Sequence, residues 1–169
     1  MFETTWQKIE NKYFGTLSDI MNQPWTGRKT ITAMISINSI CPRFLNNWSF
    51  SIYHKQSKKE MMETIMHETC HFLYFEKWKK MFPKCDKKKF DYPYIEWHLS
   101  EILAPIILMD QRIQSMLKKE TVFYEEHKKI FVSPKVNVPD YFSTLYFEHL
   151  KEKSSFDIFL KKTYEEIKK

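Results

Sequence analysis

The sequence predicts an α+β fold that is mostly helical, with a small β-sheet near the N-terminus packed on one long helix. Only 2 of the 169 residues are glycine, which favours helices over tight hairpin turns. Two short segments in the first third of the chain have strand patterns, and several longer segments have apolar residues at helical spacing. The length suits one domain over residues 1–169, with a helical C-terminal extension from about residue 120.

The first predicted helix runs from Thr5 to Met21. Its buried side consists of residues three or four apart: Trp6, Ile9, Tyr13, Leu17 and Ile20. We expect the segment Asn22-Gln23-Pro24 to end this helix, because proline has no amide proton to continue the helical hydrogen bonds.

Two strands are predicted next. Residues Thr30 to Ile37 alternate between apolar and other side chains, which is typical of a half-buried strand. Cys41-Pro42 interrupts the pattern, and Trp48 to His54 forms the second strand. This strand leads directly into the long helix, so the sheet is expected to form one wall of a substrate groove.

The long helix is predicted from Ser57 to Lys80, a stretch without proline or glycine. Ser57 and Glu60 have the spacing of a capping box, in which each side chain accepts a hydrogen bond from the other residue's amide. One apolar stripe follows the helix: Met61, Met62, Ile65, Thr69, Phe72 and Leu73.

The segment His67-Glu68-Thr69-Cys70-His71 has the form H-E-x-x-H. Residues four apart lie on one face of a helix, so His67 and His71 are able to bind one metal ion, with Glu68 beside them as a general base. The alternative is a pair of solvated or hydrogen-bonded structural histidines. Metal binding is favoured because both histidines lie nearly opposite the apolar stripe, in a row that continues with Tyr74 and Trp78.

A second informative helix follows Phe90-Asp91-Tyr92-Pro93, with Pro93 at its first position and Pro105 kinking or ending it. Glu101 and His98 fall on one side of this helix, whereas Glu96 points away from both. We predict Glu101 as the third metal ligand. His98 is the alternative ligand, and an ordinary exposed carboxylate is the alternative interpretation of Glu101.

The H-E-x-x-H motif followed by a glutamate on a later helix resembles the gluzincin metallopeptidases. The run Ser-Glu-Ile-Leu-Ala-Pro at 100–105 resembles the segment after the third ligand in small bacterial and phage-associated zincins that cleave transcriptional repressors. This resemblance implies a zincin-like domain and one Zn²⁺ per chain held by His67, His71 and Glu101. It also implies hydrolysis of a peptide or protein substrate, with Glu68 as the base.

Such a reaction needs a donor that stabilises the developing oxyanion. His98, Tyr92 and Tyr94 are candidates because they lie close to Glu101 in the sequence. His98 is therefore expected either to bind the metal or to lie next to it without binding.

Two functions of other classes remain open. One is a zinc-containing regulatory or partner-binding module that cleaves nothing. The other is a basic protein associated with nucleic acid, because the net charge is +6. The lysines, however, are scattered in short runs such as 87–89, 128–129 and 161–162, which is more typical of solvated helix faces and loops. The oligomeric state is not indicated.

The sequence predicts a cytoplasmic protein that does not enter a membrane. The N-terminus lacks a basic segment followed by an apolar run, and no apolar stretch is long enough to span a bilayer. Cys41, Cys70 and Cys85 are odd in number and lack metal-binding or redox spacing, so a disulfide framework is not expected.

The C-terminal third is predicted to be mostly helical. A short amphipathic piece at 121–131 and an extended linker at 133–139 precede two helices, at 140–151 and 154–168. Ser154 and Ser155 are candidates for capping the last helix. His127 and His149 are expected to be surface residues without a role.

Overall fold

The computed structural model describes residues 2–25, 30–117 and 122–169 and has the mixed, mostly helical character predicted from the sequence. The predicted first helix is two helices, α1 (Phe2–Gln7) and α2 (Glu10–Met21). The two helices are separated at residues 8–9. Across this break the Trp6 ring packs against two rings of α2, with centroids 5.6 Å from that of Tyr13 and 6.0 Å from that of Phe14. Asn22 ends α2 in the left-handed conformation that asparagine tolerates.

The N-terminal sheet contains β1 (Thr32–Ser36), β2 (Arg43–Phe44) and β3 (Ser49–Tyr53). The central strand, β3, pairs in parallel with β1 and antiparallel with β2. Phe50 and Ile52 of β3 are buried against Met61 and Ile65 of the long helix, so the predicted packing of sheet on helix is confirmed.

The prediction that the first strand is half-buried was wrong. Every residue of β1 except the half-buried Ser36 is exposed, and Ile35 is 66 % exposed. The alternation correctly indicates a strand, but β1 lies at the edge of the sheet, where burial depends on a further layer of structure. Ile31, just before the strand, packs against the core.

The long helix, α3 (Lys58–Met81), is confirmed together with its capping box. The Ser57 Oγ accepts a hydrogen bond from the Glu60 amide (3.3 Å), and the Glu60 carboxylate accepts one from the Ser57 amide (2.7 Å). The helix is buried on more than its apolar stripe, since Tyr74 and Trp78 on the opposite side are also buried. It is therefore the central helix of the core.

The next helix, α4 (Ile95–Leu108), packs directly on α3 after a short 3-10 helix at Lys87–Phe90. The prediction for Pro93 was wrong, and of the two alternatives for Pro105, a kink or a helix end, the helix end is excluded. Pro93 lies outside the helix, because Tyr94 is the N-cap residue. Pro105 does not end the helix, which continues to Leu108; the buried residues Ile106 and Ile107 hold this last turn in the core.

The chain continues with α5 (Gln111–Leu117) and, after the undescribed residues 118–121, with α6 (Glu125–Lys128). The predicted linker is instead a hairpin of β4 (Phe131–Ser133) and β5 (Val136–Asn137), because its backbone groups pair with each other. Of the predicted piece at 121–131, residue 121 lies outside the described residues.

The last two predicted helices are confirmed as α7 (Val138–Glu152) and α8 (Phe156–Ile167). Ser154 and Ser155 do not cap α8 through their side chains; the Ser154 hydroxyl instead hydrogen-bonds to Nδ1 of His149 (2.8 Å). One buried cluster includes residues of α2, α3, α4, α7 and α8. The two C-terminal helices, α7 and α8, therefore pack against α4 within the same core. Among the described residues, no helix is both long and apolar enough to cross a membrane.

Candidate metal centre

Helix α3 places two imidazole rings beside each other. His67 and His71 are one helical turn apart, and their Nε2 atoms are separated by 3.0 Å. His71 is completely buried, whereas the side chain of His67 remains 26 % exposed. The pair therefore faces a site that is closed on the inner side and accessible on the outer side.

Helix α4 brings a carboxylate to the same point. Oε2 of Glu101 lies 3.3 Å from Nε2 of His67, and Oε1 lies 3.5 Å from Nε2 of His71. The side chain of Glu101 is only 2 % exposed, because it points from α4 into the contact with α3. The structure thus brings together the three residues that the sequence predicted as metal ligands.

The spacing of these donor atoms suits a zinc ion. Ligand atoms at tetrahedral angles and about 2.0–2.2 Å from one ion lie about 3.3–3.6 Å apart. The two Nε2 atoms are 3.0 Å apart, and each has a different oxygen of Glu101 beside it: Oε2 lies 3.3 Å from His67 and Oε1 lies 3.5 Å from His71. Each neighbouring pair of donors is therefore spaced close to this value. Two imidazole nitrogens and one carboxylate oxygen are also a donor set that zinc prefers.

Arg43 of β2 is a contact of this site that the sequence analysis missed. One guanidinium nitrogen, Nη1, donates to Oε1 of Glu101, and the other, Nη2, lies 3.3 Å from Oγ of Ser100. The sequence contains a weak signal for it: Arg43 is one of only three arginines in a chain rich in lysine. Because Arg43 fixes one carboxylate oxygen, it limits the rotation of Glu101.

The charges of the site favour metal binding by His71 and Glu101. For His67, burial alone would lower the pKa, but the contact with Glu101 and the charge of Glu68 raise it, so a metal ion has to displace a proton there. Burial, assisted by the charge of Arg43, lowers the pKa of His71 to about 3, so its ring is neutral and offers a lone pair at neutral pH. Burial alone would raise the pKa of Glu101. The two histidines and Arg43 nevertheless hold that pKa well below its usual range, so the carboxylate is ionised.

Glu68 has the environment of a general base. It is 8 % exposed, and among the described residues its Oε2 has no hydrogen-bond partner. Burial raises the pKa of Glu68 to about 7, against the opposing charges of His67 and Arg43. A carboxylate with this pKa is suited to take up and release a proton near neutral pH.

A cleft of about 530 Å³ lies beside the site and includes Arg43 in its wall. Strand β2, the loop that follows it and the 3-10 helix form this cleft, which contains more cations than anions. Its charged and aromatic lining residues are Arg43, Phe44, Trp48, Lys79, Lys87, Lys88, Phe90 and Asp91.

The remaining predicted residues lie apart from the three ligands. Glu96 is buried and accepts hydrogen bonds from Tyr164 (2.8 Å) and Lys89 (3.4 Å). Nδ1 of His98 lies 3.0 Å from Nε2 of His127. Tyr92 is 65 % exposed, and its ring contacts His98 edge-on with the two centroids 5.7 Å apart.

The expectation that His127 and His149 are surface residues was wrong, because both are buried. His127 lies in α6 against His98, and His149 packs on Phe159. For His127 the local sequence gives no periodicity, since α6 is only one turn long. His149, in contrast, continues the buried row of Phe142, Leu145 and Tyr146 on α7 at helical spacing, a signal that was available in the sequence. Tyr124, just before α6, was also missed. Tyr124 is 52 % exposed, and its partial burial together with the charges of Glu101 and Glu68 raises its pKa to about 12.

Comparisons of the chain with protein-family models, with curated proteins and with solved structures found no match. Any assignment of function therefore depends on the chemistry of the residues described above.

Proposed function

We propose that this protein is a zinc-dependent metallopeptidase of the zincin type, with one Zn²⁺ held by His67, His71 and Glu101. The observation that carries the proposal is the convergence of these three donors from two helices, with the buried carboxylate of Glu68 on the same turn of α3. His71 and Glu101 are respectively neutral and ionised at neutral pH, as metal ligands must be.

The chain supplies the proton transfers of such a reaction. A zinc ion held by this triad would supply Lewis acidity, which polarises a carbonyl group and makes water more acidic. Glu68 takes a proton from the attacking water and then delivers it to the leaving amine. Its pKa of about 7 allows both transfers near neutral pH.

Arg43 keeps the third ligand in place. The contact of Arg43 with Oε1 leaves Oε2 of Glu101 directed towards His67. The guanidinium carbon of Arg43 lies over the ring of Phe75, 5.5 Å from the ring centroid. We assign the cleft that includes Arg43 to the peptide or protein substrate, with Arg43 as the lining residue that contacts the triad.

The test is cleavage of an unbiased peptide library by the purified zinc-loaded protein. We expect Glu68→Gln to reduce the cleavage rate by about 10²–10⁴-fold while zinc remains bound, because the amide cannot act as a base. Glu166→Gln is the control: Glu166 lies on α8 and is ion-paired with Lys169, and neither residue lines the cleft. Equal rates for wild type and Glu68→Gln would refute the role of Glu68.

A non-catalytic zinc-containing regulatory module is the second candidate. The lining of the cleft favours it, because the cleft includes Arg43 but neither Glu68 nor any of the three ligands. This candidate predicts bound zinc and no library cleavage by either wild type or Glu68→Gln.

A further inference from the structure

A second group of metal-ligand side chains lies outside the triad. It consists of His98 from α4 and of Glu126 and His127 from α6. Nδ1 of His98 lies 3.0 Å from Nε2 of His127, and Oε1 of Glu126 lies 4.0 Å from the first of these atoms and 3.8 Å from the second. The three donor atoms therefore lie within 4.0 Å of one another.

Aromatic rings hold the two imidazoles in place. The Trp97 ring lies 4.9 Å from that of His98, and the Tyr124 ring lies 5.5 Å from that of His127. His127 is completely buried, the side chain of His98 is 23 % exposed and that of Glu126 is 53 % exposed. The group is thus buried and packed against aromatic rings on its inner side and has an exposed carboxylate on its solvent side.

We propose that His98, Glu126 and His127 form a second binding site, for a divalent transition-metal ion of the zinc class. Two imidazole nitrogens and one carboxylate oxygen suit such an ion. The distances to Glu126 exceed those within a bound tetrahedral site by about 0.5 Å, and the exposed side chain of Glu126 closes this gap by a small rotation.

A simple hydrogen bond between two neutral histidines accounts for only part of this arrangement. It uses one ring N–H and one lone pair and requires no carboxylate. Here Oε1 of Glu126 lies within 4.0 Å of both ring nitrogens at once. The neighbouring Glu125 instead forms an ion pair with Lys128, 2.7 Å apart. Two adjacent glutamates thus have different partners, and the one next to the histidines completes a ligand set.

This site is independent of the proposed peptidase reaction. It shares helix α4 with the triad, since His98 precedes Glu101 by one helical turn, but it shares no ligand with the triad. Either site is therefore removable while the other is kept.

The test is metal binding by full-length variants that have first been stripped with a chelator. In His67→Ala/His71→Ala, which lacks the triad, we expect one equivalent of Co²⁺ or Zn²⁺ to bind, measured by calorimetry and by the visible absorption of Co²⁺. Adding His98→Ala should abolish this binding. Glu126→Gln should weaken it by about tenfold or more, because an amide is a poorer ligand than a carboxylate. Glu125→Gln and His54→Ala are the controls, since both residues are exposed and lie outside the group.

A second measurement guards against misfolding of the double variant. The wild-type protein should bind two equivalents of metal, and the single variant His98→Ala should bind one. Absence of metal in the folded double variant, or retention of the second equivalent after both His98→Ala and Glu126→Gln, would overturn the proposal. If His98→Ala bound no metal while the double variant still bound one equivalent, the second site would stand, and the result would instead count against the proposed function.

Discussion

At the scale of single residues, the metal centre depends on one carboxylate that faces three partners. Glu101 contacts His67 and His71 across the contact between α3 and α4, and Arg43 donates to its Oε1 from β2. Helical spacing predicts the histidine pair and the side of α4 that carries Glu101. Arg43 lies 58 residues from Glu101 in the chain, so only the folded structure reveals their contact.

Glu101→Gln tests the third ligand. The amide oxygen still accepts a hydrogen bond from Arg43, so the fold should persist, but the neutral side chain binds a cation less strongly. We expect zinc affinity of the triad to fall by about tenfold or more, measured by competition with a chromogenic chelator. Glu96→Gln is the matched control, because Glu96 is buried on the same helix and bonds to Tyr164 instead. Equal losses in the two variants would contradict the assignment.

At the scale of secondary-structure elements, local signals in the sequence predict the helices well, whereas the burial of individual residues is predicted poorly. The capping box at Ser57 and the span of α3 follow from residues that are close in sequence. The exposure of β1 and the burial of His127 do not, because both depend on what packs against them. The hairpin of β4 and β5 was not predicted either, because its segment contains proline and has no local pattern that indicates strand pairing.

Ser57→Ala tests the start of the metal helix. The substitution removes the acceptor for the Glu60 amide, so we expect the free energy of unfolding to fall by about 1 kcal/mol. Urea denaturation followed by circular dichroism measures this change. Ser115→Ala is a suitable control, since the Ser115 hydroxyl bonds to a carbonyl within α5 and caps no helix start. A loss no larger than that of the control would show that the cap is not needed.

The junction of α4 and α5 should be sensitive to acid. Asp110 accepts hydrogen bonds from Arg112 and from Tyr146 of α7 (3.1 Å). Burial alone would raise the pKa of Asp110, but the hydrogen bonds and charge of Arg112 hold it below its usual value. A lowered folded-state pKa stabilises the protein above the unfolded-state pKa, and this contribution is lost as the pH falls through the folded-state pKa.

We therefore expect Asp110→Asn to be less stable than wild type at neutral pH, by up to about 1 kcal/mol because Arg112 is half-exposed. The difference should disappear as the pH falls below the usual aspartate range. Urea midpoints measured across this range provide the test. A difference that stays constant with pH would mean that the charge of Asp110 contributes nothing.

At the scale of the whole molecule, the triad joins two helices of one shared core. Helices α3 and α4 pack together, and α7 and α8 support α4 on its other side. The unfolded chain does not hold His67, His71 and Glu101 together, so zinc binds mainly to the folded state. Zinc binding by the triad depends on these local contacts and not on the net charge of +6, which was the reason for considering nucleic-acid binding.

Zinc should therefore raise the thermal unfolding midpoint. At a free zinc concentration one hundred times the dissociation constant, the stabilisation amounts to about 2.7 kcal/mol. Calorimetry with and without a chelator measures the shift. In the His98→Ala background, which removes the second site, the whole shift should vanish when His67→Ala and His71→Ala are added. A persistent shift would place the zinc elsewhere.

The most direct test of the central claim is the zinc content of two variants after dialysis, determined by elemental analysis. His98→Ala retains the triad alone and should hold close to one zinc per chain. His98→Ala/His71→Ala lacks one of the buried ligands and should hold almost none. If His98→Ala itself contained no zinc, or if both variants contained the same amount, His67, His71 and Glu101 would not be a metal centre.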